Sequence, residues 1–102
     1  MEYFRGVHRE CGMAEENSQT MLDGEVPDGE QFRKDLLCVS KKVGMQDEAG
    51  NIQVQEMEDQ FRRNIPDQSK VNDILSNCFV QMNSPEETAY EMTKCIHKIR
   101  FS

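Results

Sequence analysis

Apolar residues recur along this chain at intervals of three and four, the spacing that gathers side chains on one face of a helix. Tyr3, Phe4, Val7 and Cys11 form a first such stripe. Asn17-Ser18 offers a cap for a short second helix that carries Met21 and Leu22 and stops at Asp23-Gly24. A third helix begins at Asp28, with Gln31 placed to complete a capping box. Phe32, Leu36, Val39 and Val43 form its stripe, and it ends near Gly44. Gln46 to Asn51 reads as a turn. Val54, Met57 and Phe61 face inward on a fourth helix closed by Pro66. The fifth repeats most regularly, through Val71, Ile74, Leu75, Cys78, Phe79 and Met82. Ser84-Pro85-Glu86-Glu87 supplies a serine cap, a first-turn proline and a boxing glutamate for a sixth, which turns Ala89, Met92, Ile96 and Ile99 inward. Met13 lies beyond the stripe of the first helix. No strand alternation and no repeat interrupts the series, so the expected fold is all-α, six helices in one domain over residues 1–102.

Length and charge narrow what such a bundle can do. The chain has 102 residues and a formal net charge of -7. A domain of this size builds one core, and an acidic surface repels phosphate backbones, which argues against nucleic-acid binding. No apolar run is long enough to span a membrane. The opening Met1-Glu2-Tyr3-Phe4-Arg5 lacks the apolar stretch of a signal peptide. A secreted form would therefore already have lost its signal, with Met1 as a start residue.

Four cysteines stand at Cys11, Cys38, Cys78 and Cys95. Three of them fall on or beside apolar stripes, which suits bridges between helices, and sequence alone permits three pairings. Each bridge would add about 3 kcal/mol. Metal and catalytic readings lack their parts. A helix–loop–helix calcium site starting at Met45 has Asp47, Gly50, Ile52 and Glu56 in register, yet Met45 and Ala49 occupy positions that need oxygen ligands. His8-x-x-Cys11 and Cys95-x-His97 match no common zinc spacing. A Cys–His nucleophile would need an orienting third group that nothing marks. No metal, no cofactor and no enzymatic activity are expected.

The cysteine order, together with Phe32 to Cys38, Gly44-Met45, Asp47 to Gly50 and Ala89-Tyr90, resembles the insect odorant-binding and pheromone-binding protein family, in its four-cysteine Minus-C form. Cys11, Cys38, Cys78 and Cys95 look like the first, third, fourth and sixth cysteines of the family, and Lys34 and Glu86 stand where the second and fifth would be. The spans from Cys11 to Lys34 and from Cys78 to Cys95 are slightly short for the family. The resemblance implies disulfides Cys11–Cys38 and Cys78–Cys95 around an internal apolar cavity. It also implies a Lys34–Glu86 ion pair in place of the missing bridge. In function it implies secretion into extracellular fluid and reversible carriage of odorant, pheromone or lipid-like ligands. A membrane chemoreceptor would be a further partner, and the carrier a monomer or weak homodimer.

For such a pocket the inward stripes nominate Phe4, Val7, Met57, Phe61, Ile74, Phe79, Ala89, Met92 and Ile96. Tyr90 is placed to hold a ligand oxygen, and Phe101 to lie across the mouth. Seven methionines, flexible and polarizable, suit a wall that adapts to its contents. Periodicity separates inward from outward faces but does not separate cavity from packed core. The alternative reading is an intracellular helical adaptor with reduced cysteines.

Overall fold

A computed structural model describes residues 2–102, with the side chain of Glu2 left aside. Met1, set aside above as a start residue, lies outside them. Six helices follow in order: α1 Glu2–Glu10, α2 Glu15–Leu22, α3 Glu30–Lys42, α4 Val54–Asn64, α5 Gln68–Asn77 and α6 Pro85–Arg100. Among the described residues there is no strand, only an isolated antiparallel bridge between Gln46 and Ile52.

The helix ends show which local signals win. Ser84 caps α6, its hydroxyl accepting from the Glu87 amide at 3.1 Å with Pro85 in the first turn. Asp67 caps α5 in the same way, accepting from the Ser69 amide at 3.0 Å. Two expected starts are displaced. The helix α3 is capped by Gly29 at φ 126°, not by Asp28. Asp28 instead accepts from the Gly29 amide at 2.7 Å and pairs with Arg33 at 3.1 Å, while Gln31 turns to Asp35. That backbone angle is open to glycine and closed to most other residues. The helix α2 begins two residues before Asn17, because buried Ser18 is needed inside it as a hydrogen-bond partner for His8.

The turn after α3 is built by Asp47, whose Oδ1 accepts from the Ala49 and Asn51 amides at 2.9 Å each. Gly50 is buried beneath α6. A Cβ there would meet Pro85 at 2.6 Å, and its φ of 91° adds a second reason for glycine. Gln46, 2 % exposed, donates to the Gly50 and Pro85 carbonyls and so ties the turn to the start of α6. The expected stripe of the fifth helix runs too far. α5 ends at Asn77 with Cys78 at its C-cap, so Phe79 and Met82 lie in the following loop.

Helices α3 and α6 form the principal pair, with α1 against α3 and α5 against α6. Their inward faces make two apolar clusters. The first joins Val7, Met13, Met21, Phe32, Leu36, Val39, Val43 and Tyr90. The second joins Ile65, Val71, Ile74, Cys78, Met92 and Ile96. Met13 therefore belongs to the core, since the chain turns inward after Gly12 at the end of α1. Met45 packs against both clusters. One disulfide serves each: Cys11–Cys38 clamps α1 to α3, and Cys78–Cys95 clamps α5 to α6. None of the four cysteines is free, which removes the premise of an adaptor with reduced thiols.

Candidate functional site

Between the two clusters the packing does not close. A cavity of about 110 Å³ remains, walled by Leu36, Val39 and Val43 of α3, Met57 and Phe61 of α4, and Ile96 of α6, with Met21, Met45, Ile65 and Phe4 completing the apolar lining. Gln60, Asn64 and Arg100 stand toward the exposed side of this wall, and His8, Ser40, Thr93 and His97 bring polar atoms to the interior. Helical spacing places them: Thr93, Ile96, His97 and Arg100 follow one face of α6, and Met57, Gln60, Phe61 and Asn64 one face of α4.

Phe4, Met57, Phe61 and Ile96 of the sequence-nominated residues line this cavity. The others do not. Val7 and Tyr90 pack into the first cluster, and Ile74 and Met92 into the second, at 0 % and 1 % exposure. Ala89, toward the start of α6, is fully buried and is not among the lining residues. Phe79 packs against the second cluster and stacks on Phe61, ring centroids 6.3 Å apart, so it backs the wall without facing the space. Tyr90 is held beneath the Arg33 guanidinium, 3.9 Å from the ring centroid. Lys34 and Glu86 take part in none of the ion pairs among the described residues, so the expected pair between them does not form. Phe101 lies against Gly24 and beside His97, outside the cavity lining, with 47 % of its surface exposed.

Sequence reading missed Met21, Met45, Leu36, Val39, Val43 and Ile65 as wall, and all the polar lining. The third-helix stripe was visible, but which stripe borders unfilled space depends on how six helices meet. The polar residues carried only one weak signal, two lone histidines.

Both histidines now have partners on α2. His8, 3 % exposed, shares a 2.6 Å hydrogen bond between Nδ1 and the Ser18 hydroxyl. Burial, then the neighbouring Arg5 and His97 charges, push its pKa below the usual histidine range. His97 donates from Nε2 to the Met21 carbonyl at 3.0 Å. Burial again lowers its pKa, opposed in part by that bond. Its Nδ1 is buried without a partner. Helix α2, which buries only Ser18 and Met21, is thus strapped to α1 and α6 by two imidazoles.

Cys11 and Cys95, the thiols of the two zinc candidates, are consumed in disulfides. No group of three potential ligands gathers among the described residues, and none of their helices is long and apolar enough to cross a membrane.

Known proteins are similar to this chain in sequence and fold. Residues 1–99 match the family described as PBP/GOBP. The B1 protein of Tenebrio molitor is 28% identical over 102 residues, covering 96% of this chain and 78% of its own length. The B2 protein of the same beetle is 29% identical, covering 96% and 80%. Among solved structures, the THP12 carrier protein from yellow meal worm superposes with a TM-score of 0.69 at 25% identity, over 90% of this chain and 85% of that one. Odorant Binding Protein 7 from Anopheles gambiae, with four disulfide bridges and in complex with an azo compound, superposes at 0.67 with 30% identity, over 95% and 82%.

Proposed function

This chain belongs to the PBP/GOBP family, and from that premise we propose that it is a secreted carrier that reversibly holds a small apolar molecule between its two core clusters. The observation that carries the reading is the unfilled, mostly apolar cavity among Leu36, Val39, Val43, Met57, Phe61 and Ile96. Protein interiors otherwise pack to the density of organic crystals, and an unfilled apolar space forfeits dispersion contacts that a ligand restores. The disulfides agree with an oxidising, extracellular setting. The relatives described as a carrier and as an odorant-binding protein support the same class of activity.

Size limits the ligand. Pockets for drug-sized molecules span roughly 300–1,000 Å³, whereas a dry cavity of about 150 Å³ takes up benzene. At about 110 Å³ the resting cavity is smaller than that, so benzene marks the upper scale of what it holds without rearrangement. Larger guests require the wall to move, and Met21, Met45 and Met57 are the unbranched side chains that can do so.

Those methionines also provide the test. With methyl-labelled methionine, a titration with toluene should shift the Met21, Met45 and Met57 signals and leave Met82 in place. Saturating toluene that moves none of the three, or moves Met82 instead, overturns the carrier reading. Met57→Trp, which fills the space, should abolish the response.

A further inference from the structure

Polar atoms in a cavity wall define what a ligand must bring. Among the described residues, the side-chain polar atoms sealed from water all have hydrogen-bond partners except His97 Nδ1. Two further side-chain atoms of lining residues, Nε2 of His8 and Oγ1 of Thr93, make no hydrogen bond among the described residues and are not sealed. Their residues are only 3% and 6% exposed and both line the cavity. The Thr93 hydroxyl is the more telling of the two. Thr20 and Thr88 return their hydroxyls to the carbonyl one helical turn back, as helical threonines commonly do, and Thr93 does not.

The two atoms belong to one end of the cavity. His8 is bonded to Ser18 of α2, and His97 to the carbonyl of Met21, one turn further along the same helix. Thr93 precedes His97 by one turn on α6. They therefore sit where α1, α2 and α6 come together, while Gln60 and Asn64 of α4 stand toward the exposed side.

Resting on the carrier reading above, we propose that His8 and Thr93 form a neutral polar subsite for the hydroxyl or carbonyl oxygen of a small, otherwise apolar ligand. The Thr93 hydroxyl can donate to that oxygen or accept from it. His8 is equally adaptable. The Ser18 hydroxyl can rotate to donate to Nδ1 or accept from it, which leaves Nε2 as donor or acceptor in turn. An alcohol, with one donor and two lone pairs, satisfies both atoms. A carboxylate is disfavoured at this end, because burial lowers the His8 pKa and a buried anion needs a paired charge. Arg100 is the one cationic side chain in the wall, and capture of an anion there is the competing outcome.

Toluene, benzyl alcohol and benzoate form a series of nearly constant shape that separates these outcomes, with calorimetry and the methionine signals as readouts. Benzyl alcohol is expected to bind about fivefold to tenfold more tightly than toluene, the effect of one or two hydrogen bonds made in place of open polar atoms. Benzoate is expected to bind more weakly than either. Thr93→Val, which keeps the shape and removes the hydroxyl, should cut the ratio of benzyl alcohol to toluene affinity at least threefold. His8→Phe is the second variant, read by the same ratio. Equal binding of toluene and benzyl alcohol, or a preference untouched by Thr93→Val, overturns the subsite while leaving the carrier reading intact. Tightest binding by benzoate, lost in Arg100→Gln, overturns it in favour of an anion site at the rim. Failure of all three compounds to bind overturns the subsite and the carrier reading together.

Discussion

The two halves of this bundle are made from the same residue types and behave differently. Around α5 and the start of α6, Val71, Ile74 and Ala89 are 0% exposed and Met92 1%, and the helices are clamped by Cys78–Cys95. On the side of α1, α2 and α4, Phe4, Met21, Met57 and Phe61 border a cavity that the packing leaves unfilled. The difference follows from what each helix has to offer. Helix α5 brings aliphatic residues of even size to a long partner. Helix α2 brings one methionine and one serine, and it is held by hydrogen bonds where α5 is held by packing. A helix that buries so little apolar surface contributes little to stability, and low local stability is the usual property of elements that admit ligands.

The largest expected effect tests the packed half. Ile74→Ala should cost about 4 kcal/mol, since a fully buried aliphatic residue is lost from a close-packed site. Met57→Ala, beside space that already exists, should cost about 2 kcal/mol and widen the range of ligands accepted. Denaturant midpoints of the two variants give the comparison directly. Equal losses would mean that the cavity wall is packed as tightly as the α5 face.

Next in size are the disulfides. By chain entropy, Cys78–Cys95, 17 residues apart, should contribute about 3 kcal/mol, and Cys11–Cys38, 27 apart, a few tenths more. Their effects on the site should differ far more than their energies. Replacing Cys11 and Cys38 by alanine frees α1, and with it Phe4 and His8 in the wall, so the response to toluene should be lost. Replacing Cys78 and Cys95 should lower the melting temperature by a similar amount and leave that response. A site that survives the first change and not the second would reverse the roles assigned to the two halves.

Near neutrality a fall in pH should act mainly on the α2 side. His8 and His97 both have pKa values lowered by burial from the ordinary 6.5. The unfolded chain therefore takes up protons first as pH drops, so stability is undiminished above about pH 6.5 and declines below it. Each ring can remove at most about 1.4 kcal/mol per pH unit. Between pH 7.5 and 5.5 amide exchange should accelerate in α2 and hardly change in α5. Replacing both histidines by asparagine should flatten the dependence, and a slope that persists in that variant would assign it to other groups.

Much of this fold is legible in the sequence, and the site much less so. Six amphipathic stripes, the Ser84 cap and the Asp47 turn are local signals, and local physics sets them. The misplaced starts of α2 and α3 arise where a residue suited to capping was used elsewhere: Ser18 for His8, and Asp28 for Arg33. The family resemblance supplied the disulfide pairing. Periodicity alone did not distinguish Ile74 from Phe61, since both face inward and only the meeting of α4 with α3 and α6 leaves space beside one of them. His8 and Thr93 were invisible as a pair because they are eighty-odd residues apart and share no pattern.

The smallest effect is the sharpest probe of how α2 is held. Arg5 reaches from α1 to Glu15 at 2.9 Å and to Gln19 at 2.9 Å, both on the outer face of α2. The Arg5–Glu15 pair is largely solvated on the glutamate side, so its removal should cost less than about 1 kcal/mol. Arg5→Met keeps the length of the side chain and removes the charge and both donors. Global stability should then barely move, because α2 contributes few buried contacts to lose. Opening of α2 alone should become several times more frequent, since a loss of about 0.8 kcal/mol from a local equilibrium is a factor of about four. Amide exchange resolved by residue reads both quantities in one measurement. Faster exchange in α2 with unchanged protection in α5 and α6 would show that the cavity side opens independently of the stapled core. Uniform acceleration in all helices would show instead that α2 unfolds only with the whole molecule, and the contrast between the two halves would be one of packing without a difference in motion.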